Sequence, residues 1–256
     1  MLLTESPPLL QVHCPKTGGR WLSAVLAQYA HGRRILSKHA PAWMIDDDER
    51  YREIRFKPEL IRIGTVRDPW SWYYSLYLHA RDHAPRVRQS LNDWGQNSPN
   101  FRDVLYGWTH PEKRSRVNNL GVLWEPAEAG GWEGLLASEL GLCSFSFIYH
   151  YGTKASWKKP FGKPTFAVDL FVDCAQLETA VRRLMCRPGV ALPPPVTTSG
   201  TGPHKAKEAY SPDMLAWVEE ADRPLIEFMG YTPFGASAGA IMNTRGLGAR
   251  RRTATE

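Results

Sequence analysis

Cysteine is scarce in this sequence: Cys14, Cys143, Cys174 and Cys186 are the four among 256 residues. None belongs to a CxxC pair or has a histidine at zinc-ligand spacing, so neither a metal knuckle nor a disulfide framework is expected, and the thiols read as small buried residues. Long apolar runs are missing as well. Nothing approaches the roughly 18 to 20 residues that a membrane span requires. The opening segment MLLTESPPLLQV carries Glu5 early, with no basic stretch ahead of its apolar residues, and the expectation is a cytoplasmic protein with no membrane partner. The Walker A pattern G-x-x-x-x-G-K-[ST] is absent, and so is H-E-x-x-H, although His79 and His83 stand four apart. No internal repeat is visible.

What the chain does have is apolar content for a substantial core and a modest excess of positive charge. With 43% hydrophobic and 23% charged residues, one globular domain over residues 1–234 is the expectation. The Gly/Ala-rich stretch 235–256, which contains Arg250, Arg251 and Arg252, reads as a disordered tail. The 32 Lys+Arg against 26 Asp+Glu leave a formal charge of +6, which favours anionic partners without choosing among nucleotides, sulfated sugars and nucleic acid.

Leu9 to Cys14 is a short apolar run that stops at Pro15, and Gly18 and Gly19 then lead into Trp21 to Tyr29, whose apolar positions fit a helix. Further strands are expected at 34–37, 60–66 and 166–172. Further helices are expected at 70–81, opened by Pro69, at 175–185, and at 211–229, where Ser211 is a candidate N-cap and Pro224 a divider. The acidic run Asp46 to Glu49 reads as the first turn of an exposed helix. Residues 92–163 mix Trp, Gly, Pro and charge without a sustained period, and short helices and loops shaping an acceptor site are expected there. Residues 187–209, with Pro193, Pro194 and Pro195 in a row, read as a loop long enough to cover a ligand. The alternation of strand and helix predicts an α/β fold, a mainly parallel central sheet flanked by helices.

Between the first strand and the first helix stands Cys14-Pro15-Lys16-Thr17-Gly18-Gly19-Arg20-Trp21. Glycines let backbone N–H groups turn toward an anion, the helix N-terminus adds partial positive charge, and Lys16 and Thr17 supply a cation and a hydroxyl. The order Pro-Lys-Thr-Gly-Gly after a first strand resembles the 5′-phosphosulfate loop of sulfotransferases that use 3′-phosphoadenosine-5′-phosphosulfate (PAPS), particularly their carbohydrate branch. That resemblance implies a P-loop-like fold with PAPS bound by Lys16, Thr17, Gly18, Gly19, Arg20 and Trp21. It also implies that Lys16 contacts the transferring sulfuryl group; with cationic side chains and backbone donors to neutralise charge, no metal is expected to be required.

After the third strand, Arg67 and Ser75 stand eight residues apart in Arg67-Asp68-Pro69-Trp70-Ser71-Trp72-Tyr73-Tyr74-Ser75. An arginine at a strand's carboxyl end and a serine on the following helix can converge on one phosphate. The spacing is similar to the family's 3′-phosphate element, which would separate PAPS from ATP. The segment from Ser199 to Tyr231 resembles the family's closing loop and terminal helix, implying His204 and Lys205 as 3′-phosphate neighbours.

For the proton of the acceptor, His39 in Ser37-Lys38-His39-Ala40-Pro41 follows the second expected strand and should share a sheet edge with Lys16; imidazole suits a base at neutral pH. Many family members place a Glu in this role. The acceptor itself, a carbohydrate or another small molecule, is not readable, and neither is the oligomeric state. Two other functions fit parts of the chain. A P-loop-type kinase or NTPase would use the same strand, loop and helix but lacks its lysine after the glycines. A non-enzymatic polyanion or nucleic-acid binder would draw on Lys154, Trp157, Lys158, Lys159 and Lys163; a nucleic-acid partner is not the expectation.

Overall fold

In chain order the strands are β1 (Leu2–Leu3), β2 (Leu9–Val12), β3 (Arg33–Arg34), β4 (Ile61–Val66), β5 (Leu170–Asp173) and β6 (Ile241–Asn243). The helices are α1 (Gly19–Tyr29), α2 (Trp43–Asp47), α3 (Arg52–Arg55), α4 (Pro69–His83), α5 (Phe101–Thr109), α6 (Leu142–Tyr151), α7 (Leu177–Met185), α8 (Pro203–Glu208), α9 (Pro212–Ala221) and α10 (Arg223–Met229). The computed structural model describes residues 1–83, 100–110, 139–153, 166–185, 203–235 and 241–243. These residues divide between two compact units, one drawn from 1–67, 147–196 and 239–256, the other from 68–146 and 197–238.

The first unit holds the sheet, ordered β3-β1-β2-β4-β5-β6. Only its centre is parallel, β2 with β4 and β4 with β5; β1 pairs antiparallel with β2 and β3, and β6 antiparallel with β5. The sheet is thus mixed rather than mainly parallel. The two-residue strands β1 and β3 are too short to show a hydrophobic period in the sequence. Ile241–Asn243, within the stretch read as a tail, forms the far edge strand.

Central strands buried on both faces explain the near-continuous apolar runs. Leu9, Ile63 and Val172 face Trp21, Leu22, Val25 and Leu26 of α1 and Leu177, Ala180, Val181 and Met185 of α7 in one cluster. Each fully buried aliphatic side chain there contributes about 2 kcal/mol. Phe171 turns to the opposite face, where its ring lies 4.9 Å from Phe147 and 5.3 Å from Tyr151. Asp46 does fall in the first turn of the short α2, but half-buried rather than on an exposed face: its carboxylate forms a two-pronged pair with the buried Arg62 of β4, at 2.8 and 3.0 Å. Asp48 instead caps the short 3-10 turn at Glu49–Tyr51 through the Arg50 N–H.

In the second unit Asp68 accepts the Ser71 N–H at 2.8 Å and starts α4. Trp70, Trp72 and Tyr73 are each at most 1% exposed, so these aromatics are core, while Tyr74 and Tyr77 pack half-buried against Phe101. Pro224 lies in the first turn of α10, and the stretch read as a last helix with Pro224 as its divider is two helices, separated at Asp222. The stretch read as a long loop includes α8. Asp222 is fully buried and accepts the Ser144 N–H at 2.6 Å in the first turn of α6, acting as an N-cap supplied by a distant segment. Asp222→Ala is expected to cost about 2 kcal/mol, read as a lower urea midpoint with an unchanged slope; Asp222→Asn, which keeps an acceptor, should lose less.

Candidate functional site

β2, β4 and β5 run in one direction, so their carboxyl ends share an edge of the sheet, where α/β folds leave room for ligands. β3 points the same way, because it is antiparallel to β1 and β1 is antiparallel to β2. This edge gathers the turn from Pro15 to Gly19 after β2, Lys38 and His39 after β3, Arg67 after β4 and Cys174 after β5.

Lys16 has φ 66° and Gly18 φ 82°. Left-handed residues in such a turn make backbone N–H groups point inward as an anion-binding nest; for Lys16, which has a Cβ, that conformation costs on the order of 1–2 kcal/mol. Several bonds hold it. Arg67 Nη1 donates to Lys16 O at 3.4 Å. The Thr17 hydroxyl donates to Cys14 O at 2.8 Å and lies 2.7 Å from Thr65 Oγ1. Tyr151, its phenol kept protonated first by burial, accepts the Cys14 N–H at 3.3 Å and donates to Thr65 O. Gln11 Nε2 donates to Gly19 O at 2.7 Å, tying the first turn of α1 to β2. Gly18 is the N-cap of α1 and no side chain caps that helix, which leaves the partial positive charge of its first turn for an anion.

The expected site residues take different parts in this turn. Lys16 is half-buried and Arg20 exposed. Thr17 is 3% exposed with its hydrogen already given to Cys14 O, so its backbone rather than its hydroxyl is what it offers an anion. Trp21, 6% exposed, is a member of the core cluster, and its N–H donates to Gly18 O at 3.0 Å.

His39 Nδ1 lies 3.3 Å from His13 O. With Nδ1–H as the donor, Nε2 carries the lone pair. Burial, and next the Lys38 charge, lower its pKa to about 4, the bond to His13 O acting the other way; the ring is a neutral acceptor at neutral pH. His13, 4% exposed, is pushed well below the ordinary histidine value by burial and then by His39. Its ring underlies α1 so closely that a Cβ on Gly19 would stand 2.5 Å from Cδ2, which explains glycine there. The rings of His13 and His39 are 4.9 Å apart, and those of His39 and His150 6.4 Å. Among the described residues no group of three or more His, Cys, Asp or Glu side chains is arranged to hold a metal ion.

Gln11, His13, Lys38, Thr65 and Tyr151 were not singled out by the sequence. His13 and Lys38, directly beside the loop and His39, carried a positional signal; Tyr151 carried none. Ser75 belongs to the second unit, in α4, and is 3% exposed. Lys205 is exposed on α8, and the His204 side chain lies outside the described residues, as do Cys186 and the basic stretch from Lys154 to Lys163. No described helix is long and apolar enough to cross a membrane. No protein-family model, no curated protein and no solved structure matches this chain, so its function has to be argued from the chemistry of its own residues.

Proposed function

We propose that this chain is a P-loop-like sulfotransferase that moves a sulfuryl group from PAPS to a hydroxyl or amine of a carbohydrate or small-molecule acceptor. The observation that carries the reading is the strained Pro15–Gly19 turn ahead of an uncapped helix, on the same sheet edge as a histidine kept neutral. Sulfuryl transfer breaks the bond between sulfur and the leaving phosphate oxygen, forms one from sulfur to the acceptor oxygen or nitrogen, and releases the acceptor's proton. Lys16 and the N–H groups opening α1 neutralise charge growing on the leaving phosphate. His39 Nε2 takes the proton while its Nδ1–H stays bonded to His13 O, which fixes the ring's tautomer. The products are the sulfated acceptor and 3′-phosphoadenosine-5′-phosphate.

The direct test is an acceptor screen with PAPS in EDTA, read by mass spectrometry. A gain of about 80 Da on an acceptor identifies the chemistry, whereas strict dependence on magnesium favours a kinase or NTPase. A second expectation concerns the nucleotide. By calorimetry, 3′-phosphoadenosine-5′-phosphate should bind at least about tenfold more tightly than its analogue lacking the 3′-phosphate, and Arg67→Ala should narrow that gap. Equal affinities would remove Arg67 from 3′-phosphate recognition and leave it the loop contact seen at Lys16 O.

A further inference from the structure

Beyond the turn itself, the sheet edge carries more positive charge than one leaving phosphate needs. Strand register sets Arg34 level with Leu2, and Leu2 level with Gln11, so Arg34 stands at the carboxyl end of β3, on the edge that holds the phosphate-type turn. Lys38 follows in the tight turn closed by Ala40 N–H to Ser37 O at 3.2 Å, immediately before His39. Arg20 stands in the first turn of α1. Lys38 is half-buried, Arg20 and Arg34 exposed, and among the described residues no carboxylate pairs with any of the three. Asp173, at the end of β5, accepts the Ala175 N–H at 2.8 Å.

We propose that Arg34 and Lys38, with Arg20 on their flank, form a second anion subsite that holds a tetrahedral oxyanion, a phosphate or sulfate group, of the acceptor beside the group presented to His39. A cation held partly out of water among other cations is destabilised until an anion joins it, and burial followed by the charges of Arg20 and Arg34 brings Lys38 down to about 8. An arginine fork and a lysine point charge together suit such a group. The acceptor assignment rests on the sulfotransferase reading; the subsite itself does not.

Pyridoxal 5′-phosphate tests the subsite on the whole chain, because it joins a phosphate to an aldehyde. The Lys38 amine adds to the aldehyde, water leaves as the C=N bond forms, and borohydride reduces that bond so that peptide mapping can find it. At pH 7.5 Lys38 is expected to label about tenfold or more faster than the exposed Lys205 and Lys207. Arg34→Ala should abolish most of that advantage. Inorganic phosphate or sulfate should protect Lys38 and acetate should not, while saturating 3′-phosphoadenosine-5′-phosphate leaves its labelling in place. Labelling no faster than at Lys205, an unchanged rate in Arg34→Ala, or protection by acetate overturns the subsite; full protection by the nucleotide assigns Lys38 to the nucleotide instead and overturns the acceptor role. If phosphate protects and the nucleotide fails to bind at all, the subsite stands and the sulfotransferase reading falls.

Discussion

Lys16→Ala is expected to lower turnover by a factor on the order of 100 or more while nucleotide affinity largely survives. The asymmetry follows from where charge appears. On the proposed reading the ground-state nucleotide would be held by many donors, the N–H groups of the turn and of α1 among them, so removing one half-buried amine should weaken binding modestly. In the transition state the bridging oxygen gains charge, and a cation next to it does its work there. The measurement is turnover under saturating nucleotide beside calorimetric affinity for 3′-phosphoadenosine-5′-phosphate. A loss confined to affinity would make Lys16 a binding residue only. Lys16→Gly separates a backbone contribution: glycine adopts φ 66° without strain, so it should remain as slow as the alanine variant while holding the turn at least as well.

His39 should show itself in pH. Removing it is expected to lower turnover about 100-fold with little change in nucleotide affinity. The acid limb of kcat/KM, which reports the free protein, should lie near pH 4 rather than near the ordinary histidine value, since burial and Lys38 hold the ring at about 4. The same shift acts on stability. Between about 6.5 and 4 the unfolded chain binds a proton that the folded ring refuses, so stability falls as pH falls through that window, by about 3 kcal/mol for this group. His13, also held below the ordinary histidine value by burial first, adds to the loss in the same direction. Urea midpoints measured from pH 7 to 4 should therefore decline steeply, and less steeply in His39→Asn. Near-normal turnover in His39→Ala with the same acid limb would move the base elsewhere, to a carboxylate in residues 92–163, without touching the arguments from Lys16 and Arg67.

Local sterics made much of the architecture legible. Pro15 and the glycine pair ended a strand and opened a helix; dense apolar runs marked β2 and β4; Pro212 and Pro224 marked the starts of α9 and α10. Each of these rests on neighbours within a few residues, which is the range over which proline, glycine and hydrophobic period act. The mixed pairing of the sheet was not legible, because β1, β3 and β6 are too short to carry a period of their own. Nor was α6: buried all round, with Ser144, Ser146 and His150 as enclosed as its apolar residues, it has no solvent-facing polar stripe to give it away.

At the sheet edge the division is similar. The sequence by itself determined that a lysine, a threonine and two glycines lie between a strand and a helix, and that a histidine follows the next strand. Tertiary structure alone decided that the Thr17 hydroxyl is turned inward to Cys14 O, that Trp21 is core, that the Tyr151 hydroxyl bridges Cys14 and Thr65, and that His39 rests on His13 O. Those outcomes depend on segments as far apart as residues 14 and 151 meeting across the sheet, and the neutral state of His39 depends on the burial that this meeting creates. Neither long-range pairing nor desolvation is encoded in the residues next to a position, so both wait on the fold.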